Sequence, residues 1–208
     1  MPQPVATPGS QQFPLRQIRA VFDVDTVRVY QAFSPEIAEP ALAAGRFVPP
    51  FSLSRMTWIK PSFLWMMYRC GWATKPGQER VLAVSISRDG FEWALANSCL
   101  SHHDPAVYPS HTEWTARKNL TPVRVQWDPE RSLRLEPLSH RSLQMGLSGE
   151  AACHYVSDWI VDLADVTPLA QEIHCLLAAQ ELAAATEKLP PERAYPLSDD
   201  IKAIIGAD

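Results

Sequence analysis

Arg28, Tyr30 and Gln31 fall in one short β-like run. Their types suit the grip of a phosphate or a planar ring, Arg through a two-pronged fork and Tyr by stacking. An ordinary strand with an amphipathic outer face is the competing reading. A second group, Thr57, Lys60 and Ser62, offers hydrogen-bond donors at the mouth of a cleft; Ser62 taken alone reads first as a helix cap. Gln144 and Glu150 bracket a late strand and the start of the helix after it. A carboxylate there would orient a ribose hydroxyl or stabilise an oxocarbenium-like transition state in glycosyl transfer, while a Glu in a first helical turn equally serves the helix dipole. His102, His103 and His111 share a loop region with Tyr108 and offer a general base, although surface histidines in polar loops are commonly idle. The chain has no Gly-rich phosphate loop, no GxSxG elbow and no HExxH.

The second group belongs to RMTWIKPSFLWMMYR, residues 55–69, the densest apolar and aromatic run in the chain, which also carries Arg55, Tyr68 and Arg69. Residues 56–60 read as a strand, Pro61 ends its ladder and suits a first helical turn, and residues 63–69 read as a buried helix stopped by Gly71. The bland alternative is a core element whose charges snorkel at its ends. Upstream, residues 26–33 alternate as a strand, and Ser34, Pro35 and Glu36 begin a helix that Gly45 closes. Downstream, residues 80–87 form a buried strand and Asp89 caps a helix over 91–100. Three short strands follow at 122–127, 133–138 and 141–147, the first two separated by a turn at Asp128 and Pro129. Helices then start near Ser148 and at Thr167, and the C-terminal end reads as a Pro-broken wrap. Strands in two groups with helices at the ends point to an α+β fold, a small split or curved mixed sheet around a buried helix.

Two hundred and eight residues with 46% apolar content suffice for one globular domain. Residues 1–17 read as a flexible polar leader, 18–197 as the domain and 198–208 as a tail. A net charge of −4 argues against a broad phosphate-binding face but leaves room for a local basic groove. No stretch has the length of a membrane span. Four widely spaced cysteines without CxxC pairing suggest reduced thiols in a cytoplasmic protein, and neither they nor the histidines have ligand spacing for a metal.

The blocks RVYQAFSPEIA and AAGRFVPPF, RMTWIKPSFLWMMYRCGWATKPGQERVLAVSISRDGFEWAL, VRVQWDPER and RSLQMGLSGEA resemble the bacterial and fungal family catalogued as domain of unknown function 4291, over about residues 19–196. More remotely, an Arg-x-Tyr strand, a helix ending in Gly, a Pro-rich loop and a strand–turn–apolar helix are similar to the first half of ADP-ribosyltransferase folds. Such proteins bind NAD in a cleft between two small sheets and often carry Glu or Gln on a late strand. That resemblance implies Arg28 and Tyr30 at the first-strand position. It places Thr57, Lys60, Ser62 and Tyr68 along the nicotinamide pocket, and Gln144, or else Glu150, at the late acid. The expected activity is then ADP-ribosyl transfer from NAD, with Arg28 on the phosphates, Tyr68 or Trp58 stacked on a ring, and Gln144 or Glu150 on the ribose. The alternative is a non-catalytic module that reads a nucleotide or a nucleic-acid end in the same cleft. A third reading, partner binding through helices over 167–188, rests on their amphipathic spacing alone.

Overall fold

Two small sheets joined at one point organise the chain. The computed structural model describes residues 13–208, so most of the leader assigned to 1–17 lies outside the described residues. Its first half contains β1 (Arg19–Ala20), β2 (Thr26–Phe33), α1 (Pro35–Ala44), β3 (Thr57–Ile59), α2 (Phe63–Cys70) and β4 (Arg80–Ser87). Then come α3 (Arg88–Ala96), β5 (Ser98–Leu100), α4 (His111–Leu120), β6 (Val123–Arg131) and β7 (Pro137–Leu147). The chain ends with α5 (Glu150–His154) and a π-helical stretch (Tyr155–Trp159), β8 (Ile160–Asp165), α6 (Thr167–Ala178), α7 (Leu182–Glu187), β9 (Arg193–Ala194) and α8 (Asp199–Ile205). One sheet has the order β2-β4-β8 and the other β3-β7-β6-β5, with β1 and β9 forming a separate short pair. This is the α+β architecture with a split sheet that the pattern of strands and helices implied.

The three-stranded sheet is covered on both faces. Val27, Val29, Leu82, Val84 and Ile86 belong to one core cluster, while Tyr30, Val81 and Ala83 face a second cluster with α2 and α6. Burial on both sides explains why β4 reads as a continuous apolar run rather than an alternation. Helix α2 buries Phe63, Trp65, Met66, Met67 and Cys70. Ser62 caps it by accepting from the Trp65 amide at 3.1 Å, and Gly71 ends it at φ 60°. Pro61 therefore precedes the cap instead of occupying the first helical position.

Several boundaries differ from the sequence expectation, each for a local reason. Ser87, not Asp89, caps α3, and the helix stops at Ala96 because residues 98–100 pair in parallel with β6. The three late strands are two: β6 runs through Asp128 and Pro129 to Arg131, with a register irregularity between Pro129 and Arg131. A bulge tolerates the missing proline N–H, and the chain reverses at 132–136 instead. The helix after Ser148 ends at Trp159, and residues 160–165 form β8 on the edge of β4. The segment read as a tail, 198–208, holds α8, with Ile201 and Ile205 buried and the Trp127 indole N–H donating to the Ile205 carbonyl at 2.8 Å. No helix among the described residues is long and apolar enough to cross a membrane.

Candidate functional site

The two sheets touch where Tyr30 of β2 meets Lys60, just beyond β3. The Tyr30 amide donates to the Lys60 carbonyl at 2.7 Å, and the Lys60 amide returns a bond at 3.3 Å. Past that pair the strands diverge. A groove of about 190 Å³ opens between residues 31–33 on one side and 56–58 on the other, and Lys60 and Arg69 line it as well. A larger cavity of about 520 Å³ lies on the face of the four-stranded sheet, walled by Trp58, Trp65, Tyr68 and Arg131. Gln126, Asp128 and Gln144 line it as well, and Trp58, Lys60 and Arg69 border both spaces.

The side chains of this cleft are held by specific contacts. Trp58 lies against Gly146, its direct partner on β7; a Cβ there would sit 2.9 Å from the indole ring and 2.5 Å from the Met56 sulfur. Only glycine lets the ring approach so closely. Trp65 and Tyr68, one turn apart on α2, stack at 5.1 Å and 25°, and the Arg131 guanidinium sits 3.6 Å over the Tyr68 ring. Cation–π contact fixes the guanidinium plane without using up its donors. Asp128 is braced from both sides: the Gln126 amide donates to one carboxylate oxygen at 2.8 Å and the Gln144 amide to the other at 2.6 Å. A carboxylate offers about four lone-pair sites, so both oxygens retain an acceptor position. Lys60 is 6% exposed, and its amine donates to the Trp58 carbonyl at 3.2 Å. Burial, reinforced by the Arg69 charge and opposed by Asp128, brings its pKa down to about 7.

The cleft thus unites Trp58, Lys60, Tyr68 and Gln144 from the sequence-derived set. Thr57 borders the smaller groove, but its hydroxyl accepts from the Gln31 amide at 2.7 Å. Gln31 is itself buried, and its carbonyl accepts from the Tyr155 hydroxyl at 2.7 Å. Ser62 is occupied as the α2 cap and donates to a Glu130 carboxylate oxygen at 3.0 Å. Tyr30 is buried edge-on against Phe63, with its hydroxyl unpartnered and its pKa pushed up by burial and by Glu192. Arg28 sits near that hydroxyl, and Arg28 and Tyr30 line neither space. Glu150 is exposed at the first position of α5, past the end of β7, and also lies outside both.

Sequence reasoning overlooked Asp128, gave Trp65 and Arg131 no part in the site, and took Arg69 only as one of the polar residues of the 55–69 run at the mouth of a cleft. The signal was present: Val123, Val125 and Trp127 point inward, so continuing the alternation puts Arg124, Gln126 and Asp128 on the outer face. Reading Asp-Pro as a turn cut that pattern short. Among the described residues there is no group of three or more His, Cys, Asp or Glu side chains placed to hold a metal.

Behind α2, a Glu192 carboxylate oxygen accepts from the Phe63 amide at 2.6 Å. Burial pushes the Glu192 carboxyl up to about 8; the Phe63 amide opposes this and the Glu130 charge adds to it. With its unfolded value near 4.5, the folded chain holds a proton there that the unfolded chain has released. Stability from this group is complete below about pH 4.5 and falls as pH rises toward about 8. Glu192→Gln is expected to flatten that decline, by on the order of 3 kcal/mol between pH 5 and 8. Lys60 acts with the opposite sign and only above about pH 7, so melting both chains across pH 5–8.5 isolates Glu192. Parallel curves would rule out the assignment.

A family model described as "Domain of unknown function (DUF4291)" matches residues 17–195, a span that contains both sheets and the whole cleft. No curated protein matches the chain.

Proposed function

The chain belongs to the DUF4291 family, and from the chemistry of its cleft we propose that it binds an NAD-like dinucleotide and transfers the ADP-ribosyl group to an acceptor. One observation carries this reading. A single cavity combines aromatic faces, two guanidinium groups and a braced carboxylate. Trp58 offers a face for the nicotinamide or adenine ring, and Tyr68, partly exposed under Arg131, borders the same space. Arg69 and Arg131 supply forked donors for the pyrophosphate, the role that the sequence reading gave to Arg28. Asp128 faces the ribose. Breakage of the C1′–N bond sends its electron pair to nicotinamide, which leaves neutral, and positive charge develops on C1′ and the ring oxygen. A fixed carboxylate beside that charge lowers the barrier. The acceptor's lone pair then closes on C1′ and its proton departs. Gln144 acts through Asp128, by holding the carboxylate in place.

The double brace on Asp128 also favours a second reading, in which the cleft binds a nucleotide or a nucleic-acid end without turnover. Thermal unfolding with and without millimolar NAD, followed by chromatography of the nucleotide, separates the two. A ligand at about a hundred times its Kd adds roughly 2.7 kcal/mol, several degrees in Tm for a chain of this size. A shift with nicotinamide released is the expected result. A shift without release would favour binding alone, and no shift would remove NAD from both readings. The cysteines are free thiols, two of them exposed, which supports a reducing, cytoplasmic setting.

A further inference from the structure

Lys60 has no ion-pair partner among the described residues, although Asp128 lines the same cavity and favours its charged form. The other four lysines have ordinary surroundings. Lys75 bonds two exposed carbonyls at the end of α2, Lys118 lies over Trp114, Lys188 pairs with Glu172 at 2.7 Å, and Lys202 is in the last helix. The one hydrogen bond of the Lys60 amine is to the Trp58 carbonyl. A lysine kept for structure is normally paired or snorkels to water, and a lysine kept to bind phosphate by charge is better served by exposure. Here Lys60 borders both spaces of the cleft, the larger of them lined by Trp58, Trp65 and Tyr68, and shares them with Arg69, whose fixed charge opposes a second cation more than Asp128 favours it. A desolvated amine beside another cation is the arrangement that activates lysine as a nucleophile toward carbonyl compounds.

We propose that Lys60 is a covalent site, its amine condensing reversibly with the aldehyde of a ring-opened phosphorylated sugar such as the terminal ribose of ADP-ribose. The inference rests on the reading of the cleft as a nucleotide site, but not on transfer. The Nζ lone pair bonds to the C1 carbonyl carbon, and the carbonyl oxygen takes up a proton to give a carbinolamine. Loss of water then leaves the imine. Hydrolysis reverses the step, so no oxidant or reductant is consumed. Arg69 and Arg131 are placed to hold the pyrophosphate, with Trp58 as the wall of the sugar pocket.

The test incubates the full chain with ADP-ribose and sodium cyanoborohydride, which reduces the imine to a stable amine, and locates the adduct by peptide mass spectrometry. Modification at Lys60 is expected, absent in Lys60→Arg and Lys60→Met, and about tenfold slower at pH 6 than at pH 8 because protonation removes the lone pair. Melting curves of both variants confirm that they fold. Binding of ADP-ribose is measured separately, as a Tm shift without reductant. A shift with no adduct, or with adducts spread over Lys75, Lys118, Lys188 and Lys202, would overturn the covalent site and leave the nucleotide cleft standing. Neither shift nor adduct would overturn both.

Discussion

Asp128→Asn is expected to slow nicotinamide release from NAD by on the order of 10²–10³-fold while NAD affinity stays within a few-fold. The substitution keeps the shape of the side chain and removes its charge. Gln126 and Gln144 can each rotate their amide to meet either end of the new group, so the brace survives. What disappears is a fixed anion beside C1′ at the moment the sugar becomes cationic, an interaction stronger in the transition state than in the bound substrate. Steady-state rates and a Tm shift with NAD measure the two quantities separately. Glu150→Gln is the internal control: Glu150 lies outside the cleft, and its variant should turn over at the parent rate. If Glu150→Gln were silent and Asp128→Asn were equally silent, the carboxylate assignment would fail. A loss confined to Glu150→Gln would restore the reading that the sequence suggested.

Gln31→Leu should lower stability by about 2–3 kcal/mol, a drop in Tm of roughly 4–12 °C at this chain length. Gln31 spans the divergence of the sheets, donating to Thr57 and to the Trp58 carbonyl and accepting from Tyr155. Removing it orphans the Tyr155 hydroxyl at a position with no exposure, and an unpaired buried hydroxyl carries its full desolvation cost. The double variant Gln31→Leu with Tyr155→Phe removes both partners and should recover part of the loss. Strict additivity of the two single variants in denaturant melts would show that the Gln31–Tyr155 bond contributes no coupling.

The backbone course was legible wherever local chemistry and tertiary demand agreed. β2, β4, α1 and α2 all appear where alternation, Ser caps and Gly stops put them. β5 and β8 were hidden because nothing within residues 98–100 or 160–165 distinguishes an edge strand from the end of a helix. Their state is decided by β6 and β4, which lie far away in sequence. The cleft followed the same rule. Trp58, Lys60 and Tyr68 stood out because polar groups in an apolar run are conspicuous. Asp128 was masked by Pro129, whose preference for turns is real but gives way at a bulge. Gln144 was noticed, yet its office as the holder of a carboxylate depends on a cross-strand register that no local pattern reveals.

The contact between Tyr30 and Lys60 is the one backbone pairing between the two sheets among the described residues, yet it does not hold them alone. Val27, Val29, Leu82 and Val84 of one sheet share a core cluster with Ile59, Val125, Met145 and Leu147 of the other. Close packing of that kind resists rotation of one sheet against the other, and Gln31 adds a polar tie across the gap. The distance between residues 31–33 and 56–58 is thus set by the core, and anything that enters the smaller groove meets a width fixed in advance.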